Sequence, residues 1–209
     1  MRLVRTAAAA AVGLSLVVAG TSGAATKPVC NLITDATGDA SATTAASVPG
    51  TSDGALDVLS ADLAADKKVL TAVIRVSKLA ESAATAPNGY SAVFTFSAPS
   101  APDVPLYMRY FSGSDLLDSS FEFGYDDATN GLTPLGDAAG VLDTAKNEIR
   151  ISAPLSGFSE KAVLKQNDKL GTFDVAMSRD LVALLVYADR ATSGATYSVG
   201  AKSCVTPGK

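Results

Sequence analysis

The chain is expected to be all-β: an antiparallel β-sandwich of jelly-roll or immunoglobulin-like type, with about ten strands and at most one or two short helices. Three observations carry this expectation. Short runs rich in β-branched and aromatic residues recur along the chain, and several alternate apolar with polar positions. Clusters of turn formers bound them, such as Pro87, Asn88 and Gly89, or Ser112, Gly113, Ser114 and Asp115. Roughly ten such runs at this spacing fit a sandwich or barrel.

Taken in order, the chain opens on an export signal. Arg2 and Arg5 supply a positive start, Ala7 to Ala19 form an apolar core, and Ser22, Gly23, Ala24 and Ala25 offer small residues for cleavage. The core is shorter than the roughly twenty residues of a membrane span. Residues 1–25 are therefore read as a secretory signal peptide, and 26–209 as one secreted domain with no later span. The stretch 40–53, rich in Ala, Ser, Thr and Gly, reads as a mobile loop. Strands are expected at 57–63, 70–76, 90–96, 106–111, 121–125, 141–143, 148–153, 169–174, 184–187 and 196–202. Helix is expected only as a turn or two at 159–165 and at 178–183. No internal repeat is visible.

The cysteine pattern fits export. The chain has two cysteines, Cys30 just behind the signal and Cys204 near the C-terminus. In an oxidising compartment they are expected to pair and bring the chain's ends together.

Charge and composition then exclude whole classes of function. Losing Arg2 and Arg5 leaves 15 of the 17 basic residues against 21 acidic ones, a net charge of about −6. Such a surface repels phosphate backbones and anionic lipid, so nucleic acid is not an expected partner. The sequence contains no histidine. That removes Ser-His-Asp and Cys-His nucleophiles, histidine-bound zinc and histidine-bound haem. Paired cysteines remove thiolate chemistry as well.

Carboxylates remain, and most are aspartate. Asp118 and Asp143, each followed by a hydroxyl residue, have the look of aspartic-protease turns, but neither has the glycine that follows there; both read as strand ends running into turns. A glycosidase pair such as Glu122 with Asp126 or Asp127 stays open, because carboxylate spacing is set by the fold. The richer constellation is Asp35, Gly38 and Asp39 after the first strand, followed by Asp53 and Asp57 at the entrance to the next long one. Close carboxylates and a glycine-containing turn suit calcium, which takes six to eight oxygens at flexible geometry. Asp189, before the last strand, is a further candidate because the disulfide brings first and last strands together. The expected metal ligands are thus Asp35, Asp39, Asp57 and Asp189, with calcium in a structural role and neither haem nor zinc. The competing reading is that these aspartates only close Asx-turns.

The order Asp35 to Asp39, a loop, Leu56 to Leu59 with Asp62, and then 70–76 resembles the opening of DOMON-like and family 9 carbohydrate-binding-module sandwiches. Residues 146–155 are similar to their characteristic strand, and Tyr197 to Gly200 to their closing one. The resemblance implies a jelly-roll sandwich, structural calcium near the first Asp-rich loop, and a non-catalytic binding role. The chain departs from the pattern in having no tryptophan for a sugar platform, which leaves six tyrosines, Tyr90 among them. The mature chain offers only Met108 and Met177 where haem-binding relatives use methionine with histidine.

The sequence therefore predicts a secreted, calcium-stabilised, monomeric module, not an enzyme, that binds an extracellular ligand, glycan or protein. The alternative is a secreted carboxylate-dependent hydrolase acting on polysaccharide. A third reading is an inhibitor or accessory chain for a secreted enzyme.

Overall fold

A computed structural model describes residues 27–40, 53–81, 86, 88–114, 117–180 and 185–208. The expected signal peptide and nearly all of the expected loop at 40–53 lie outside the described residues.

The strands are β1 (Ile33–Thr34), β2 (Val58–Ala65), β3 (Val69–Val76), β4 (Tyr90–Ala98), β5 (Ala101–Phe111) and β6 (Ser120–Asp127). They continue with β7 (Gly131–Asp137), β8 (Ala139–Asp143), β9 (Glu148–Pro154), β10 (Lys169–Asp180), β11 (Leu185–Ser193) and β12 (Tyr197–Ser198). One antiparallel sheet has five strands in the order β1-β2-β3-β9-β8. The other has seven, in the order β11-β10-β4-β5-β6-β7, with β12 also paired to β10. The sheets pack face to face as a β-sandwich.

Period-two alternation decides which face of each strand meets the core. In β4, Tyr90, Ala92, Phe94, Phe96 and Ala98 are buried, whereas Ser91, Val93, Thr95 and Ser97 point to the outer face. Across the core stand Leu63 of β2, Ile74 of β3 and Ile149 and Ile151 of β9, all fully buried. Aromatic rings of the seven-stranded sheet fill much of the core. Phe94 meets Phe173 of β10 at 5.9 Å between centroids, and Phe158 meets both Phe96 at 5.7 Å and Phe123 at 5.0 Å.

Phe158 also explains the single described helix, a 3-10 segment at Leu155–Glu160 that turns Leu155 and Phe158 inward. It begins four residues earlier than the expected 159–165. The expected helical turn at 178–183 is corrected: Ser178 to Asp180 prolong β10, because Ser178 pairs with Ser91 and Arg179 with Tyr90. β12 is shorter than the expected 196–202, for Gly200 at φ 83° turns the chain away. β7 was not expected, since Pro134 and Gly136 weaken its strand pattern; it lies at a sheet edge, where proline is tolerated.

β2 and β3 are buried on both faces for a reason outside the core. Residues 203–208 drape over the outer face of their sheet, and Val205 packs against Ala64 and Val73. The Arg150 guanidinium donates to the Thr206 carbonyl at 3.1 Å, and the Gly208 N–H to Thr71 Oγ1 at 2.8 Å. Beside this strap lies a charge ladder. Arg75 holds Asp62 at 2.7 Å and Glu148 at 2.9 Å, and Arg150 holds Glu148 at 3.1 Å. Asp62 is almost fully buried, so Arg75 supplies the countercharge its desolvated carboxylate requires. The strap is pinned by the Cys30–Cys204 disulfide, with Cα atoms 5.2 Å apart, and by the parallel bridge of Val29 with Ser203.

Candidate metal centre

β1 is the edge strand of the five-stranded sheet and β11 that of the seven-stranded sheet. The sandwich lays these two edges against each other, so the turn leaving β1 reaches side chains of β11. Carboxylate oxygens of Asp35, Asp39 and Asp189 come within 4.8 Å of one another there. Two oxygens bound to one calcium at about 2.4 Å can lie no farther apart than about that distance.

The turn is built to hold this geometry. Gly38 adopts φ 86°, in the left-handed region open to glycine, and its N–H points at Asp57. Both carboxylate oxygens of Asp57 accept that N–H, at 2.9 and 3.0 Å. Asp57 is 1% exposed, lies outside the cluster of three, and anchors the turn instead of joining the ligands. Sequence reasoning placed all four aspartates together; the structure brings together three and gives the fourth a supporting role. Asp189 lies on β11 itself, where its Oδ2 accepts the Val58 N–H at 2.7 Å and its Oδ1 the Arg190 N–H at 2.7 Å. Val58 opens β2, so Asp189 already links the two sheets.

Electrostatics leave the cluster short of positive charge. Among the described residues none of the three carboxylates forms an ion pair with lysine or arginine. Asp35 Oδ1 accepts the Ala36 N–H, but its Oδ2 is buried without a hydrogen-bond partner among the described residues. Desolvation pushes the Asp189 carboxyl up to about 6; its two N–H donors oppose this, and the charges of Asp35 and Asp39 add to it. Oxygen-only donors and uncompensated negative charge are what a hard cation such as calcium requires.

Two predictions arise here. The folded value for Asp189 lies above the ordinary value near 4 of an unfolded aspartate. The cost of ionising it is therefore fully present above about pH 6 and vanishes below about pH 4. In chelator, the melting midpoint is expected to be higher at pH 5 than at pH 7.5, and Asp189→Asn to flatten that slope. The same slope in the variant overturns the assignment. The second prediction separates anchor from ligand. Asp57→Ala strands the Gly38 N–H and is expected to cost about 2 kcal/mol in calcium and in chelator alike, as read from denaturant melts.

A second feature lies on the outer face of the seven-stranded sheet. A cleft of about 780 Å³ runs there, lined by hydroxyl residues of β4 and β10, by Arg109, Arg190, Asp126 and Asp174, and by apolar residues including Val93, Pro102, Pro105 and Leu132. No motif in the sequence points to it, although Ser91, Thr95 and Ser97 on the outward phase of β4 are its visible trace. Glu122, the candidate glycosidase acid, accepts hydrogen bonds from the Tyr107 hydroxyl at 3.0 Å and from Arg109 at 3.2 Å.

Compared with protein-family models, with curated proteins and with solved structures, the chain matches none.

Proposed function

We propose that this protein is a secreted, non-catalytic β-sandwich binding module, stabilised by calcium held between the edges of its two sheets. The observation that carries the calcium part is the cluster of Asp35, Asp39 and Asp189, contributed by two sheets and, among the described residues, forming no ion pair with lysine or arginine. A cation there joins the turn after β1 to β11 and adds a link between the layers. Calcium takes six to eight oxygens, so carbonyls or water would complete the shell. The disulfide and the absence, among the described residues, of a helix long and apolar enough to cross a membrane are compatible with secretion.

The binding part rests on the cleft. Its position on the outer face leaves the core between the sheets filled. The non-catalytic reading is supported by where the perturbed carboxylate lies. Asp189 belongs to the acidic cluster and is absent from the cleft lining, whereas cleft residue Asp174 is held by Arg190 at 2.6 Å. A general acid for glycoside hydrolysis needs a raised pKa inside the cleft, facing a second carboxylate. Titration calorimetry with calcium tests the metal part: one site per chain supports it, and no heat or binding unaffected by Asp35→Asn overturns it.

A further inference from the structure

A sheet edge presents unpaired backbone N–H and C=O groups and invites a further strand unless the fold discourages it. Among the described residues three of the four sheet edges carry such a device. β1 has only two residues. β11 carries Asp189 and Arg190, and its ladder with β10 shifts register between Met177 and Ser178. β7 carries Pro134, which has no N–H to donate. β8 has none of these. Its residues, Ala139–Asp143, include no proline, lysine or arginine. They pair with β9 residue for residue, and β9 with β3, without a register shift, so this edge is regular and free of bulges. Ala139, Gly140 and Val141 are all exposed. Successive strand residues point to opposite faces, so exposure of both phases leaves the backbone between them open.

We propose that β8 is the docking surface for a second copy of this chain, whose own β8 adds antiparallel across a two-fold axis and joins two five-stranded sheets into one of ten. The proposal is independent of the calcium and ligand readings, and it names a dimer in place of the monomer expected from the sequence. A self-pairing strand needs a register in which like charges do not face each other, and β8 has one centred on Val141. Val141, 57% exposed in the single chain, then meets Val141 of the second copy, Gly140 meets Leu142, and Ala139 meets Asp143. Charge complements this register at both ends. Asp137, exposed in the corner before β8, forms no ion pair among the described residues. Lys146, in the turn after β8, has its side chain 67% exposed while it holds Asp143 at 2.8 Å. Continuing the antiparallel register past the strand ends sets Lys146 of one copy beside Asp137 of the other, and the two-fold repeats the pair. The match is to this chain's own sequence, which selects a second copy over an unrelated strand. So few residues a side make a small interface, so a dissociation constant in the micromolar range or weaker is expected. The net charge of about −6 adds a repulsion that physiological salt screens.

The test is analytical ultracentrifugation of the purified protein at physiological salt, from micromolar to submillimolar concentration, with hydrogen exchange measured at both ends of the range. A monomer–dimer equilibrium is expected, with amides of 139–143 gaining protection as concentration rises. Val141→Lys sets like charges face to face on the axis and is expected to weaken the dimer by at least about tenfold. Lys146→Glu is expected to weaken it several-fold, and Asp137→Lys added to Lys146→Glu swaps the pair and is expected to restore it, so the test does not depend on any one variant folding. Val163→Lys, at a comparably exposed apolar residue after the 3-10 helix, is expected to leave association unchanged. A dimer that Val141→Lys and Lys146→Glu weaken and the charge swap restores supports the proposal. A wild-type protein that stays monomeric throughout overturns it. A dimer indifferent to these variants, or one that forms without added protection in 139–143, overturns the assignment to β8.

Discussion

Replacing Cys30 and Cys204 together by serine is expected to lower the melting midpoint by about 10–20 °C. The bond closes a loop spanning 174 positions. In the chain-entropy model a crosslink of that length removes about 5 kcal/mol of freedom from the unfolded chain. For a domain of this size each kcal/mol moves the midpoint by about 2–4 °C. The structure adds a local consequence. Cys30 lies three residues before β1, and Cys204 lies in the strap that covers Ala64 and Val73. Without the bond, the contacts that remain on the strap among the described residues include the Val29 bridge, the Arg150 and Thr71 hydrogen bonds and the Val205 contact. Amides of β2 and β3 are therefore expected to lose hydrogen-exchange protection before those of β4 and β10. The check is a pair of melts, wild type with and without reductant against the double serine variant. An unchanged midpoint in both overturns the stabilising role.

The disulfide also shows where sequence reasoning succeeds and where it stops. Two cysteines near the ends of a chain expected to be exported predict their pairing from compartment and count alone, and the all-β class follows from alternation that is local to each strand. Pairing order is not local. Nothing in the residues of β9 says that it joins β3 across more than seventy positions, or that β7 forms an edge despite Pro134. The acidic site shows the same division. Asp35 and Asp39 were legible because they share one turn, and Asp189 because the ends of the chain were expected to meet. Asp57 looked equivalent in the sequence, yet its backbone position at the mouth of β2 aims it at Gly38. The cleft was the least legible part. Ser91, Arg109, Asp174 and Arg190 come from four strands, and only their register places them on one surface.

Millimolar calcium is expected to raise the midpoint over that in chelator, by an amount equivalent to about 2.7 kcal/mol at a hundredfold excess over the dissociation constant and about 4.1 at a thousandfold. At 2–4 °C per kcal/mol this is a shift of roughly 5–15 °C. The sign of a variant's effect makes the test sharp. Asp39 is exposed and contributes charge to the cluster. Asp39→Asn removes a ligand charge, so it is expected to cancel most of the calcium increment. In chelator the same substitution relieves repulsion on Asp189, whose carboxyl Asp35 and Asp39 already push upward. The variant is therefore expected to melt no lower than wild type without calcium, and well below it with calcium. An aspartate that merely closes a turn behaves differently, since its loss costs the same in both conditions. Magnesium supplies the last control. It demands shorter bonds and near-ideal octahedral geometry and gives up its water reluctantly. A cluster spread over two sheet edges and spanning up to 4.8 Å is expected to discriminate against it, and an equal shift with magnesium would mean that the carboxylates respond to positive charge in general and hold no specific site.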